Sequence, residues 1–153
     1  KSRLIMYEKI NEDLKNAMKE KDTFKLSVLR MLKSALQLEQ IAKKHELDDN
    51  EIAAVLKKQV KVRKDSLEEY KKYDKTELVE SLEKEIAILD AYLPEEMSES
   101  EISEIVKSAV EEIKPTSMKD MGLVMKKVNE LLVGKNADMS LVSKLVKEQI
   151  MSN

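Results

Sequence analysis

The chain has 153 residues, 42% of them hydrophobic and 38% charged, with a net charge of −2, which suits one domain or two small ones. Cysteine is absent, which excludes disulfides, iron–sulfur clusters and thiolate zinc sites and is compatible with a cytosolic or organelle-matrix home. With two glycines and two prolines, no apolar run near the roughly 20 residues of a membrane span and no signal-peptide core at Lys1-Ser2-Arg3-Leu4, the expectation is a cytoplasmic, all-α protein of long helices.

Helical periodicity runs the whole length, and no window alternates as a strand would. Leu4, Ile5, Ile10, Leu14, Ala17 and Met18 form a first amphipathic stripe ending near Glu20-Lys21. Asp22 caps a second helix that carries Phe24, Val28, Leu29, Met31, Leu32, Ala35, Leu36 and Ile41 to about His45. Asp48 with Glu51 has capping-box spacing and opens a third helix through Ile52, Leu56, Val60, Leu67 and Tyr70. Asp74 with Glu77 repeats that spacing for a fourth helix ending near Tyr92. The second and third helices, each about 24 residues or roughly 36 Å, are expected to form a long antiparallel hairpin.

Pro94 marks the boundary between an N-terminal helical domain, 1–94, and a C-terminal domain, 95–153, because proline stops the fourth helix. Ser98 with Glu101 then restarts the chain with another capping box. Three short helices follow, Glu99 to Ile113, about Ser117 to Val133 and about Met139 to Met151, punctuated by Pro115 and Gly134. Ile102, Ile105, Val106, Ala109 and Val110 face inward in the first, Met121, Val124, Met125, Val128 and Leu131 in the second, and Leu141, Val142, Leu145, Val146 and Ile150 in the third.

Charge is unevenly spread. Residues 1–94 hold 20 basic and 19 acidic side chains, 95–113 hold 1 and 7, and 114–153 hold 7 and 4. The acidic run repels phosphate and the last forty residues attract it, so a nucleic-acid contact belongs on Lys119, Lys126, Lys127, Lys135, Lys144 and Lys147. The plainer reading of these lysines is a solvated helix face, and one phenylalanine and four tyrosines offer little base stacking. Shape and phosphate contact suit such a surface better than single-strand reading.

A second constellation lies on the hairpin. Arg30, Lys33 and Gln37 share a face, and Arg63 falls in line with the apolar Val60 and Leu67. An arginine in a seam requires a carboxylate or a ligand; an internal salt bridge with Glu39 or another acid is favoured over RNA contact. His45, the only histidine, reads as a surface helix-end residue rather than a base or metal ligand. Adjacent acids such as Glu95-Glu96 point to different sides of a helix, so neither a metal nor another cofactor is predicted. Nine methionines, among them Met118, Met121, Met125 and Met139, read first as core and second as an adaptable partner surface.

The segments RMLKSALQLEQI (Arg30 to Ile41), VRKDSLEEY (Val62 to Tyr70), LDAYLPEEMSESEI (Leu89 to Ile102) and KDMGLVMKKV (Lys119 to Val128) resemble the YqeY family. The C-terminal half of that family is similar to the tail domain of GatB, a subunit of the glutamyl/aspartyl-tRNA amidotransferase. The resemblance implies a helical hairpin domain followed by a three-helix tail, and tRNA or an amidotransferase or synthetase complex as partner. The chain departs from the family pattern at Lys126 and Met139, where glycine is usual, and at Asn136, an additional residue between Gly134-Lys135 and Ala137-Asp138.

No catalytic constellation is visible, since amide transfer from glutamine demands a nucleophile, a phosphate cradle and a magnesium site. The expected function is therefore a non-catalytic, tRNA-binding or amidotransferase-related accessory protein. The alternatives are a helical protein–protein adaptor and a carbon–nitrogen ligase component active only with other subunits.

Overall fold

The computed structural model describes residues 5–152. Among them are seven α-helices: α1 (Ile5–Lys19), α2 (Thr23–Lys43), α3 (Asp49–Lys72), α4 (Thr76–Asp90), α5 (Glu99–Ile113), α6 (Met121–Leu131) and α7 (Met139–Met151). A single 3₁₀ turn, Met118–Asp120, leads into α6, and no strand occurs among the described residues beyond one isolated bridge, Glu96 to Asn136. The all-α class holds. The chain divides between Leu93 and Pro94 into two compact units.

In the first unit, helix starts follow side-chain chemistry. The Asp22 carboxylate accepts from the Lys25 amide at 3.1 Å. Asp48 accepts from the Glu51 amide at 2.8 Å while Glu51 accepts from the Asp48 amide at 3.0 Å, completing the capping box. The box expected at Asp74 does not form. Asp74 is instead the left-handed exit from α3, with φ of 55°, and α4 starts after Lys75 without a side-chain cap. Three other helix exits, at Lys21, Lys44 and Lys114, also use left-handed residues that are not glycine.

The pairing within this unit differs from the expected hairpin. α3 runs most extensively along α4, and α1 along α2, whereas contact between α2 and α3 is more limited. The three-residue connection Tyr73–Lys75 folds α4 straight back, antiparallel, along α3. Ile10, Leu29, Leu32, Leu36, Ile52, Leu56 and Leu89 are fully buried in this core. Ile5, Met18, Met31 and Ile41, all assigned to apolar stripes from the sequence, are exposed; Leu4 lies outside the described residues. Helical spacing allows a wider stripe than one neighbouring helix can cover.

The second unit is a three-helix module. Ser98 and Glu101 form the anticipated reciprocal cap at 2.8 and 3.1 Å. Ile102, Val106, Val110, Val124, Val128, Val142 and Val146 build the core, and Ile105, Met121, Met125, Leu141 and Leu145 pack half-buried around it. The middle helix is shorter than the sequence suggests, because Ser117 caps the 3₁₀ turn and α6 proper begins only at Met121. Asn136 explains its own presence: its side-chain amide donates to the Pro94 carbonyl at 3.0 Å, and its carbonyl accepts from the Met97 amide at 2.8 Å. The additional residue thus ties the segment before α5 to the loop before α7.

Candidate nucleic-acid interface

Lysines on α6 and α7 emerge where helical geometry turns polar residues away from the valine core. Lys126 follows Met125 and precedes the half-buried Lys127; a step of about 100° around the helix separates the two lysines. Lys127 swings toward α5, its ammonium 3.1 Å from Glu112 and 3.9 Å from Glu130. Its charge is neutralised within the unit. Lys126 is exposed and has no ion pair among the described residues. On α7, Lys144 and Lys147 stand three positions apart on the outward face, both exposed and both without an ion pair among the described residues.

Lys119 sits in the 3₁₀ turn, its amide held by the Ser117 hydroxyl at 3.2 Å and its side chain exposed. That turn is fixed by Asp120, which accepts from the Thr116 amide at 2.9 Å and the Thr116 hydroxyl at 3.1 Å. These two bonds, the amide first, hold the Asp120 carboxyl below its usual range. Lys135 is exposed but not independent of its surroundings: its charge reinforces the hydrogen bonds from Ser98 that lower the Glu101 carboxyl.

Between Lys119 and Lys126 lies Gly122, in the first turn of α6. A Cβ built there meets nothing within 4 Å, and its φ is not positive. Neither packing nor backbone geometry requires glycine at this position, although glycine in a helix costs roughly 0.5–1 kcal/mol relative to alanine. What glycine does provide is bare backbone on an exposed surface flanked by two lysines.

Arg30 is exposed and Lys33 half-buried on α2. Arg63 takes the internal alternative. Only 8% exposed, it donates from Nε to Glu85 at 2.7 Å and from Nη1 to the Gln59 carbonyl at 3.1 Å and the Gln59 side chain at 2.9 Å. The acid is Glu85 on α4, not Glu39, which pairs with Lys43 at 3.8 Å. His45 is exposed just beyond α2, with Nε2 3.5 Å from Glu51.

The match to known proteins spans the same two units. A family model described as Yqey-like protein matches residues 7–150. The chain belongs to the YqeY-like family. Among this family's curated relatives, Altered inheritance of mitochondria protein 41, mitochondrial, from Pyrenophora tritici-repentis is 29% identical over 148 residues, covering 95% of this chain and 81% of the relative. The protein of the same name from Lachancea thermotolerans is 34% identical over 111 residues, covering 71% of this chain and 59% of the relative. Those two relatives carry a mitochondrial name, not the cytoplasmic one expected from composition. No described helix of this YqeY-like chain is long and apolar enough to cross a membrane.

Proposed function

We propose that this YqeY-like chain is a non-catalytic accessory protein that binds tRNA by its phosphate backbone, using Lys119, Lys126, Lys144 and Lys147 of the C-terminal unit. The observation that carries the reading is that these four exposed lysines have no ion pair among the described residues, while Lys127 is neutralised by Glu112 and Glu130. Exposed lysines without partners lose no internal bond when they meet a phosphate, and each such contact releases condensed counterions. The similarity of the family's C-terminal half to an amidotransferase tail that contacts tRNA supports the same choice of surface. Lys135, whose charge already acts on Glu101, is a secondary candidate, and Arg30 and Lys33 are candidates for a second, weaker contact on the N-terminal unit. A matrix or cytosolic compartment accommodates this role, and the names of the relatives favour a mitochondrial one.

Titration of tRNA with the full chain between 50 and 200 mM salt tests the reading. Four phosphate contacts give a slope of log K against log salt of about −3 to −4, a loss of roughly 100-fold across that range. Changing Lys126, Lys144 and Lys147 to glutamate abolishes binding, while Lys127→Gln leaves it within about twofold because that side chain is already spent. No binding at 50 mM salt would sink the proposal.

A second reading, the helical protein adaptor, draws on α2, where Met31, Leu38 and Ile41 are 48%, 69% and 72% exposed along one helical face. An apolar interface there needs no tRNA contact, so on this reading the same titration shows no tRNA binding even at 50 mM salt.

A further inference from the structure

The first unit contains a cavity of about 570 Å³ that the RNA reading does not use. It lies between α1, the start of α2 and the end of α4. On α4, Lys84, Ala87, Ile88 and Ala91 step along one face, a span of about 10 Å. The two alanines leave the room, since any longer side chain there would fill it. Phe24 forms the facing wall, with the Lys84 ammonium 4.5 Å from its ring centre.

Of the polar lining groups, Tyr92 donates to Asp13 at 2.6 Å and Lys9 lies 3.6 Å from the same carboxylate, so these three satisfy one another. Lys25 and Lys84 also line the cavity, neither with an ion pair among the described residues, together with the Asp22 carboxylate that caps α2. A half-open pocket that combines an apolar wall with two ammonium groups outside any ion pair suits a ligand with an anionic group and an apolar body. We infer that this cavity binds a small organic acid whose anionic group sits between Lys25 and Lys84 and whose ring-sized apolar body lies against Phe24, Ala87 and Ala91.

Phe24 is the only phenylalanine, so full-length protein labelled with 4-fluorophenylalanine gives a single fluorine resonance inside the cavity. The probes are phenylacetate, phenyl phosphate, neutral 2-phenylethanol and inorganic phosphate. Phenylacetate or phenyl phosphate shifts the resonance saturably, at least tenfold more tightly than 2-phenylethanol or inorganic phosphate, and the tighter of the two identifies the anion as carboxylate or phosphate. The Lys25→Gln/Lys84→Gln variant, its helix content checked by circular dichroism, binds at least tenfold more weakly. Lys58→Gln/Lys64→Gln, which removes the same charge from α3 outside the cavity, leaves binding unchanged. The inference is overturned by the absence of a saturable shift with either anion, by equal binding of the neutral probe or of bare phosphate, or by equal effects of the two double variants.

Discussion

Replacing Gly122 by alanine separates what this residue does for folding from what it does at the surface. The new Cβ meets no atom within 4 Å and φ is not positive, so no strain or clash opposes the change. Alanine restricts the unfolded chain and favours helix, which stabilises the C-terminal unit by about 0.5–1 kcal/mol. Because the chain has two units, a global melting temperature mixes their contributions, and local opening is the cleaner observable. Amide exchange at Val124 and Val128, buried in the core of this unit, reports it. The expected outcome is two- to fivefold slower exchange, the factor that about 0.5–1 kcal/mol corresponds to at 25 °C, given RT of ~0.59 kcal/mol. On the proposed tRNA contact, the same substitution weakens binding severalfold, since the methyl group would stand where that proposal brings a phosphate to the backbone between Lys119 and Lys126. Faster exchange would refute the packing argument. Slower exchange with unchanged tRNA affinity would remove Gly122 from the contact surface.

Three further outcomes follow from the geometry. Glu85→Ala leaves Arg63 nearly buried with only Gln59 for company and destabilises the first unit by about 2–4 kcal/mol in urea unfolding, while Arg63→Met with Glu85→Leu recovers most of that loss; equal damage from the double variant would show that the ion pair is not what sets the cost. The Tyr92 hydroxyl is held protonated far above its ordinary range, first by burial and then by Asp13, so its stabilisation is complete below about pH 10 and is lost as pH rises through the elevated folded value. Base titration of unfolding for Tyr92→Phe is therefore flatter than for the wild type, and identical profiles would contradict the assignment. Asn136→Ala removes the bond to the Pro94 carbonyl, costs about 1 kcal/mol and accelerates exchange of the Met97 amide; unaltered exchange would mean the main-chain contact suffices.

Much of the fold was legible because it is written locally. Capping boxes at Asp48 and Ser98 and the valine-rich stripes of the last three helices each act within a few residues, and each forms as the spacing dictates. Asp74 shows the limit, because the same side chain served as a start signal in the sequence and as the left-handed exit of the preceding helix in the structure. Helix pairing was also misread: length similarity pointed to α2 with α3, yet the tight turn after α3 decides for α4. The partner of Arg63 was within reach of the sequence, since Arg63 and Glu85 are equidistant from Asp74 in an antiparallel pair. The lysine surface was only half legible. Counting charges cannot distinguish Lys126 from Lys127, because which of two neighbours meets Glu112 depends on how α5 packs on α6.

The left-handed exits at Lys21, Lys44 and Lys114 carry a consequence for how this chain tolerates change. An L-residue in that conformation costs about 1–2 kcal/mol, and glycine would relieve it, offset in part by glycine's larger freedom when unfolded. Three ready stabilising substitutions thus sit unused at the surface. Each would delete a cation at the negative end of a helix. The chain keeps its ammonium groups at the expense of backbone comfort, so its margin of stability can be raised by engineering without touching a single core residue.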